Sequence, residues 1–322
     1  MPPHAISNNP RTLLLTIDAF GTIFHPRKPV PQQYACAAHQ FGLSRSTVTS
    51  DRLQSAFKTV FKAQSKARPN YGRADALRGE YGGPRQWWEE VIRGSFARVL
   101  KSSPAASSPT PSTANTLPDG LVQHLLHRFA CRDGYVLDAN ADAFFTRLRH
   151  IKSTKTRLGP FDRVVVGVVS NSDDRVPAVL ESLGLSVGMC RADEDVSSTQ
   201  LPGFEMRDRP HSRKPADNYG DGEIHDLDLV ITSYEAVAEK PSPIIFEVAR
   251  RQAMKLVGAI DSDRSNWECI HVGDDYDKDY RAAIDVGWKA FYIPLEDDAK
   301  TPVQVRKTGS LLDVLTELQR RG

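Results

Sequence analysis

The sequence has no long hydrophobic run. None of its apolar stretches approaches the roughly 18 residues that a membrane-spanning helix needs, although 40% of its 322 residues are hydrophobic. The N-terminal stretch MPPHAISNNPRT also lacks the apolar core of a secretory signal. We therefore expect neither a membrane protein nor a secreted one.

The sequence also lacks an excess of charge of either sign. It contains 42 lysine and arginine residues and 40 aspartate and glutamate residues, which gives a formal net charge of +2. Nucleic acids and anionic membrane surfaces usually bind proteins with a clear excess of positive charge. We therefore expect no nucleic-acid partner and no membrane partner, and the sequence identifies no protein partner.

Cysteine is scarce and scattered along the chain. The four cysteines are Cys36, Cys131, Cys190 and Cys269, and no two of them form a CxxC pair. This spacing indicates neither a zinc site nor a disulfide framework. Unpaired cysteines fit a reducing, intracellular compartment, and we expect a cytoplasmic protein, with the nucleus and the mitochondrion as open alternatives.

The sequence does contain an alternation of short apolar strands and helices. The first strand is predicted at TLLLTI, residues 12–17, and later strands at RVVVGVV, DLDLVIT, ECIHV and KAFYI. Segments with helical periodicity, such as SPIIFEVARRQ, separate these strands. Strands that alternate with helices predict an α/β fold, with a mostly parallel sheet covered by helices on both faces.

A long helical block interrupts this alternation after the first strand. Its segments SDRLQSAFKTVF and QWWEEVIRGSFARVL each place their apolar residues on one helical face. We therefore predict a helical cap domain at 25–135, inserted into a core formed by 1–24 and 136–322. A Ser- and Pro-rich loop at 101–118 is predicted to be disordered, and a polar insert is predicted in the core at 191–224.

Asp18 is the first candidate for a chemical role. It directly follows the strand TLLLTI and opens the motif DAFGT. A carboxylate held at the end of a strand can attack phosphorus or carbon and form a covalent ester, and Gly21 lets the backbone turn close to the reacting group. An aspartate at this place is also ordinary turn chemistry, so the motif alone does not decide the function.

Three further motifs follow later strands. Ser170 and Asn171 come after VVVGVV, where a hydroxyl and backbone N–H groups can hold a phosphoryl oxygen or simply cap a helix. Lys240 opens the helix SPIIFEVARR and can neutralise a nucleophile and a phosphate, although most lysines are solvated surface residues. The run GDDYDKD, residues 273–279, clusters carboxylates, which favours a hard cation such as Mg²⁺ over a solvated acidic loop.

The placement of the four motifs favours one common site. Each motif lies at the carboxyl end of a predicted parallel strand. Open α/β sheets bind ligands in the crevice at that edge. A nucleophile, a hydroxyl, a lysine and a group of metal-binding acids are therefore expected to converge there.

The motif set DAFGT, SNS, KP and GDDYDKD resembles the four motifs of the haloacid dehalogenase (HAD) superfamily of hydrolases. The cap segments FKAQSKARPNYG and RQWWEEVI, together with GDDYDKDY, are similar to the group of haloacid dehalogenase-like hydrolase domain-containing protein 3 and its relatives. The resemblance covers nearly the whole chain outside the two inserts. It implies a Rossmann-like core and a helical cap that closes over the site.

The resemblance also implies roles for individual residues. Asp18 would be the nucleophile, Ser170 would bind the transferring group, Lys240 would neutralise charge, and Asn171 would belong to the same catalytic set. The substrate would be a small molecule, a phosphate ester, and the cofactor would be Mg²⁺. The metal ligands would be Asp18, the backbone carbonyl of Phe20 and Asp274, with Asp279 as a second acid.

Phe20 departs from the pattern of the superfamily's phosphatases. These enzymes carry a second aspartate two residues after the nucleophile, which protonates the leaving group and then activates water. Phe20 can do neither, and the loss of general acid–base help costs about 10²–10⁴-fold in rate. The 2-haloacid dehalogenases have an aromatic residue at this place, but they work without metal and their fourth motif is less acidic.

Three hypotheses for the function follow from this mixture. The chain is a Mg²⁺-dependent phosphatase slowed by the missing acid, a dehalogenase that acts on carbon, or a catalytically feeble binding protein with the same fold. Dependence on metal would separate the first from the second. A covalent intermediate on Asp18 would separate both from the third.

Overall fold

The computed structural model describes residues 11–101, 117–192, 202–204, 224–259, 265–295 and 305–321. The loop at 101–118 and the insert at 191–224 lie mostly outside these residues, so both stay predictions. Within the described ranges no helix is both long enough and apolar enough to cross a membrane.

Eight strands are described. In chain order they are β1 (Thr12–Ile17), β2 (Phe24–Pro26), β3 (Tyr135–Leu137), β4 (Arg163–Ser170), β5 (Val187–Cys190), β6 (Leu227–Thr232), β7 (Trp267–Gly273) and β8 (Lys289–Tyr292). Six of them form one sheet in the order β5-β6-β4-β1-β7-β8, and every described pairing in it is parallel. The predicted α/β fold class is therefore confirmed.

The helices fill the connections between these strands. They are α1 (Val30–Gln40), α2 (Ser50–Ala67), α3 (Arg73–Leu77), α4 (Gly83–Lys101), α5 (Leu121–Arg128), α6 (Ala141–Thr154), α7 (Val176–Ser182), α8 (Ser233–Ala236), α9 (Pro243–Leu256), α10 (Ala282–Asp285) and α11 (Leu311–Gln319). A π-helical turn, Tyr276–Arg281, precedes α10. Several helices begin at a side-chain cap, as at Ser242, whose hydroxyl accepts from the backbone N–H of Ile244 with proline at the first helical position.

The central strand β1 is buried on both faces. All six of its residues are buried, which explains why it reads as a continuous apolar run rather than an alternating one. Leu13 and Leu15 face a core that includes residues of α6 and α11, whereas Leu14 faces a second core that includes residues of α9. The nearly uninterrupted burial holds the carboxyl end of β1 rigidly in the middle of the sheet.

The helices α1 to α5 form one insertion, within the range predicted for the cap. The chain leaves the core at β2 and returns at β3, and these two strands pair antiparallel, so that Phe24 lies opposite Leu137. Aromatic rings pack between α2 and α4, where Phe61 lies edge-on to Trp87 with 5.3 Å between the ring centroids. The insertion therefore has aromatic packing of its own, and its buried residues, such as Tyr34 and Phe96, also share one apolar cluster with Leu13 and Leu15 of β1.

Polar and aromatic contacts fasten these helices to the core close to the strand ends. The indole N–H of Trp88 in α4 donates to Asp173, in the loop after β4, at 2.7 Å. The guanidinium of Arg175, paired with Asp173, lies 4.6 Å from the centroid of the Trp88 ring. The amide of Asn70, in the turn before α3, donates to the carbonyl of Ser233 at 2.8 Å. The structure therefore has the inserted helices seated on the carboxyl edge of the sheet.

Candidate active site

The parallel register brings three of the four motifs to one level. Ile17, the last residue of β1, lies opposite Val168 in β4 and Val272 in β7. Asp18 follows directly, and its backbone N–H donates to the carbonyl of Val272 at 2.8 Å. The loops that carry the first, second and fourth motifs therefore begin beside one another.

Asp18 and Asp279 share the ammonium of Lys240. The lysine Nζ donates to Asp18 Oδ1 at 2.7 Å and to Asp279 Oδ1 at 2.5 Å. Lys240 and Asp279 are almost fully buried and Asp18 is 7% exposed. Buried charges of this kind are stable only when they are paired, so the three groups form one electrostatic unit.

The three N–H bonds of Lys240 are all used inside the protein. The third donates to the carbonyl of Val169 at 2.9 Å, and an ammonium has only three donors. The Asn171 side chain fixes the lysine backbone, because its Nδ2 donates to the Lys240 carbonyl at 2.8 Å and its Oδ1 accepts from the Lys240 N–H at 2.6 Å. In this arrangement Lys240 neutralises charge without donating a hydrogen bond to a substrate.

A third carboxylate joins Asp18 and Asp279. One oxygen from each of Asp18, Asp274 and Asp279 lies within 4.8 Å of the other two. Asp274 also accepts a hydrogen bond from the Thr22 hydroxyl at 3.2 Å. The first and fourth motifs therefore contribute oxygen atoms to one small volume, which hard cations prefer.

Gly21 lies against this carboxylate group. Its φ of +94° is in the left-handed region, and a Cβ built on it would lie 2.5 Å from Asp274 Oδ2. Any side chain at this position would therefore collide with the Asp274 carboxylate. The close approach explains the glycine in DAFGT more fully than a turn preference does.

Burial and mutual repulsion shift the pKa values of the carboxyl groups. Burial, with the charges of Asp18 and Asp279, raises the pKa of Asp274 to about 7. Burial also raises the pKa of Asp18, against the opposing effect of Lys240. Burial acts to raise the pKa of Asp279 too, but Lys240 and His271 together hold it below its ordinary value. The raised pKa means that the Asp274 carboxyl is hard to ionise beside two other carboxylates. A cation at this place would compensate the repulsion.

The charge balance of the group fits a divalent cation. Three ionised carboxylates against one ammonium leave a formal charge of −2, and burial lowers the pKa of His271 so that its ring is neutral at pH 7. An ion with two positive charges and a preference for oxygen, such as Mg²⁺, would balance the group. The donor set and the raised pKa of Asp274 therefore fit the predicted metal.

Phe20 has two separate features at this site. Its side chain is 46% exposed and packs edge-on against Phe24 and Tyr135, at centroid distances of 5.9 and 5.8 Å. Its backbone carbonyl accepts no hydrogen bond among the described residues, because Gly21 and Phe24 bond to neighbouring groups instead. Nothing in the described part of the chain therefore competes with the predicted role of this carbonyl as a metal ligand, while the ring presents an apolar edge beside Asp18.

Ser170 and Asn171 lie at the end of β4 next to β1. Ser170 is buried and pairs with Thr232 of β6. Asn171 contacts the site through the backbone of Lys240, as described above, so its clearest effect is to position the lysine. The structure thus brings Asp18, Lys240 and Asp279 into contact, places Asp274 within 4.8 Å of the two other carboxylates, and places Ser170 and Asn171 at the same edge.

Two residues of this network were not anticipated from the sequence. Thr16 and His271 are fully buried. Thr16 is hydrogen-bonded to His271, which is hydrogen-bonded to Asp279. A signal for each is visible in the strands: a threonine within the apolar run TLLLTI, and a histidine within ECIHV just before GDD. Neither is distinctive without the register that makes them neighbours.

No protein-family model matches the chain. The chain is 28% identical over 283 residues to an uncharacterised hydrolase of Schizosaccharomyces pombe, across 88% of this chain and 91% of that protein. It is 28% identical over 281 residues to haloacid dehalogenase-like hydrolase domain-containing protein 3 of Homo sapiens, across 87% of this chain and 81% of that protein. The Danio rerio protein of the same name is 25% identical over 304 residues, across 94% of this chain and 93% of that protein.

Solved structures show the same fold. The protein resembles the 2-haloacid dehalogenase of Pseudomonas syringae pv. Tomato DC3000 with a TM-score of 0.50 and 14% identity, across 96% of this chain and 99% of that one. It resembles an L-2-haloacid dehalogenase equally well, with a TM-score of 0.50 and 14% identity, across 97% and 99% of the two chains. At this identity the likeness concerns the fold alone. Sequence relatives and fold together confirm the predicted resemblance of the chain to haloacid dehalogenase-like hydrolases, among them haloacid dehalogenase-like hydrolase domain-containing protein 3.

Proposed function

We propose that the protein is a Mg²⁺-dependent phosphatase that acts on small phosphate esters through an aspartyl-phosphate intermediate on Asp18. The proposal is carried by one observation, the group of three carboxylates with a formal charge of −2 once Lys240 is counted. Mg²⁺ is expected to bind Asp18, Asp274 and the carbonyl of Phe20, with Asp279 as the neighbouring acid. When bound, it would supply positive charge for the phosphoryl oxygens.

The residues around Asp18 position its carboxylate and balance its charge during the reaction. Lys240 holds one oxygen of the Asp18 carboxylate, and the rigid end of β1 fixes its backbone. The other oxygen attacks phosphorus, a bond forms between them, and the bond from phosphorus to the leaving oxygen breaks. Water then adds to the aspartyl phosphate, which releases inorganic phosphate and restores the carboxylate. Lys240 offsets the negative charge throughout, because it stays within bonding distance of Asp18.

Phe20 decides which esters react fast. The first step leaves an alkoxide that needs a proton, and the ring at position 20 has none to give. Esters of acidic alcohols, such as p-nitrophenyl phosphate, do not need that proton. We therefore expect turnover of activated esters to exceed turnover of alkyl phosphates by a wide margin.

A second candidate function is the hydrolysis of a carbon–halogen bond. It is favoured by the exposed Phe20 ring, which with Phe24 and Tyr135 gives an apolar surface beside Asp18. In that reaction Asp18 attacks carbon, a halide leaves, and water hydrolyses the ester. No metal is needed, because the leaving halide carries its own charge.

The two candidates can be tested with one set of assays. The purified full chain is incubated with p-nitrophenyl phosphate, an alkyl phosphate and 2-chloropropionate, each with Mg²⁺ or with EDTA. Phosphate release that requires Mg²⁺ and disappears in Asp18→Asn supports the proposal. Chloride release that is insensitive to EDTA would favour the second candidate. No turnover of any substrate would favour a binding protein with this fold.

A further inference from the structure

Two polar side chains lie in the middle of the sheet, where apolar residues are expected. Thr16 of β1 and His271 of β7 are both 0% exposed, and they lie opposite each other in the parallel register. The ring of Phe246 from α9 packs edge-on against His271, with 5.3 Å between the centroids. Burial of polar groups in such a place costs free energy unless they are hydrogen-bonded, so their bonds need an explanation.

The hydrogen bonds of this pair lead to the nucleophile. Thr16 Oγ1 lies 2.8 Å from His271 Nδ1, and His271 Nε2 lies 3.2 Å from Asp279 Oδ1. The same oxygen of Asp279 accepts from Lys240, which donates in turn to Asp18. A continuous chain of hydrogen bonds therefore runs from the interior of the sheet to the carboxylate of Asp18.

The position of each proton follows from the partners. The Asp279 carboxylate can only accept, so His271 Nε2 carries the ring proton. The Thr16 hydroxyl has one proton, and it lies 2.8 Å from His271 Nδ1 and 3.3 Å from the carbonyl oxygen of Ile270. The shorter distance favours donation to His271 Nδ1, so the hydrogen bonds run from the threonine hydroxyl through the histidine N–H to the aspartate.

Both carboxylate oxygens of Asp279 accept hydrogen bonds from other parts of the protein. His271 and Lys240 both donate to its Oδ1, and the backbone N–H of Asp275 donates to its Oδ2 at 2.9 Å. A Cβ built on Gly273 would lie 2.2 Å from the Asp279 carboxylate, so backbone packs directly against it. Of the two side chains that donate to Asp279, Lys240 also donates to Asp18, whereas His271 connects Asp279 to Thr16.

We propose that Thr16 and His271 are positioning residues, which hold Asp279 against Lys240 and through them orient the carboxylate of Asp18. The inference rests on the proposed function in one respect, namely that Asp18 is the reacting group. Neither residue touches substrate. Without the His271 N–H, Asp279 Oδ1 loses one of its two donors and can turn away from Lys240, which leaves Asp18 in more than one orientation.

The test replaces His271 by glutamine and by asparagine, whose side-chain amides differ in length by one methylene group. In His271→Gln the side-chain N–H extends about as far as the imidazole Nε2 and can still donate to Asp279. In His271→Asn the amide reaches only as far as Nδ1, so the contact with Asp279 is lost. Thr16→Val and Thr16→Ser form a second pair, since valine keeps the shape of threonine and serine keeps its hydroxyl.

Three measurements are made on each full-length variant that has the melting temperature of the wild type within a few degrees. They are kcat and KM for p-nitrophenyl phosphate with Mg²⁺, the affinity for Mg²⁺ by calorimetry, and the tautomer of His271 by two-bond ¹H–¹⁵N spectra. The signal of His271 is identified among the nine histidines by its loss in His271→Gln.

We expect His271→Asn and Thr16→Val to lower kcat or Mg²⁺ affinity by about 10–100-fold, the usual effect of losing an outer hydrogen bond. KM should change little, and His271→Gln and Thr16→Ser should stay near the wild type. The wild-type His271 should carry its proton on Nε2. Equal losses in Gln and Asn, equal losses in Val and Ser, or a proton on Nδ1 would each overturn the inference.

The experiment separates this inference from the proposed function. If the wild type hydrolyses no phosphate ester, the proposed function fails, whereas the tautomer and the Mg²⁺ affinities still decide the role of His271. If the variants that alter the histidine do not fold, the comparison of Thr16→Val with Thr16→Ser decides it.

Discussion

Within the carboxylate group, Asp274 is the residue whose ionisation depends most on a cation. Its pKa of about 7 reflects burial and two neighbouring negative charges, and no lysine pairs with it among the described residues. Asp18 and Asp279, in contrast, both contact Lys240. Apart from the proposed nucleophile Asp18, we therefore expect Asp274 to contribute most to the affinity for Mg²⁺.

Asp274→Ala should weaken Mg²⁺ binding by more than the ~10–100-fold that loss of an outer partner costs. The reason is that it removes a direct oxygen ligand and a third of the negative charge. The matched control is Asp277→Ala, because Asp277 belongs to the same acidic loop and its side chain is 77% exposed. Calorimetry on the two variants gives the answer. Similar affinities in both would mean that the loop is a solvated acidic segment.

Phe20→Asp should raise turnover of an alkyl phosphate, by as much as ~10²-fold. An acid at this position can protonate the leaving oxygen and later accept a proton from water. The gain should be smaller for p-nitrophenyl phosphate, whose leaving group needs no proton. Phe20→Asn has the same shape but cannot transfer a proton, and it serves as the control.

Equal rates in the Asp and Asn variants at position 20 would count against the phosphatase reading. A carboxylate introduced there would then be only a further charge beside Asp18, with a raised pKa and no chemical role. That outcome would favour an apolar pocket for a substrate without phosphate, or a binding protein.

At the scale of elements, the loop after β1 is positioned by contact with the loop after β7. Gly21 lies against Asp274, and Thr22 donates to the same carboxylate. The two loops begin at neighbouring strand ends, so the parallel pairing of β1 with β7 produces the contact. The shape of the first loop therefore affects the orientation of Asp274, the proposed metal ligand in the fourth motif.

Gly21→Ala should lower the affinity for Mg²⁺ at least ~10-fold, because the new Cβ displaces the Asp274 carboxylate. The control is Gly42→Ala. Gly42 has a similar φ of +86° but nothing within 4 Å of a built Cβ, so it carries the backbone strain without the collision. Both variants should lose stability, by ~1 kcal/mol from backbone strain, and only the first should lose metal. Calorimetry and melting curves measure the two effects, and equal Mg²⁺ affinities would contradict the contact.

For the whole molecule, the carboxylate of Glu268 forms ion pairs with residues that are far apart in sequence. Glu268 of β7 accepts from Lys289 of β8 at 2.7 Å, from Arg321 after α11 at 2.9 Å and from Arg11 before β1 at 3.2 Å. Burial acts to raise the pKa of Glu268, but the bond from Lys289 and the charges of all three cations lower it overall. This network closes the amino edge of the sheet, opposite the active site.

Glu268→Gln should lower the stability at pH 7 by ~1 kcal/mol, or roughly 2–4 °C in melting temperature. A carboxyl whose pKa is lower in the folded than in the unfolded state stabilises the fold above the unfolded pKa. That contribution disappears as the pH falls through the folded pKa, since both states are then protonated. The gap between wild type and variant should therefore be full at pH 7 and shrink below about pH 5. A gap that is constant with pH, measured by thermal melts, would exclude this charge network as its source.

The sequence by itself determined the main strands and the motifs at their ends. TLLLTI, RVVVGVV, DLDLVIT and ECIHV are apolar because a parallel sheet buries both faces, and that pattern is local in the chain. The convergence of Asp18, Lys240 and the acids at 274 and 279 was predictable for the same reason, since parallel strands end at one edge. The short strands β2, β3 and β5 were not predicted, because their few residues gave no clear pattern, although the equally short β8 was predicted from the run KAFYI.

Only the tertiary structure decided how the side chains share their bonds. The sequence predicts a lysine that neutralises a phosphate, but the folded chain engages all three of its donors with Asp18, Asp279 and a carbonyl. The roles of Thr16 and His271 likewise depend on register, because the two residues are 255 positions apart and meet only across the pairing of β1 with β7. Hydrogen bonds form only between atoms about 3 Å apart. The tertiary structure determines which atoms come that close, and the spacing of residues along the sequence does not.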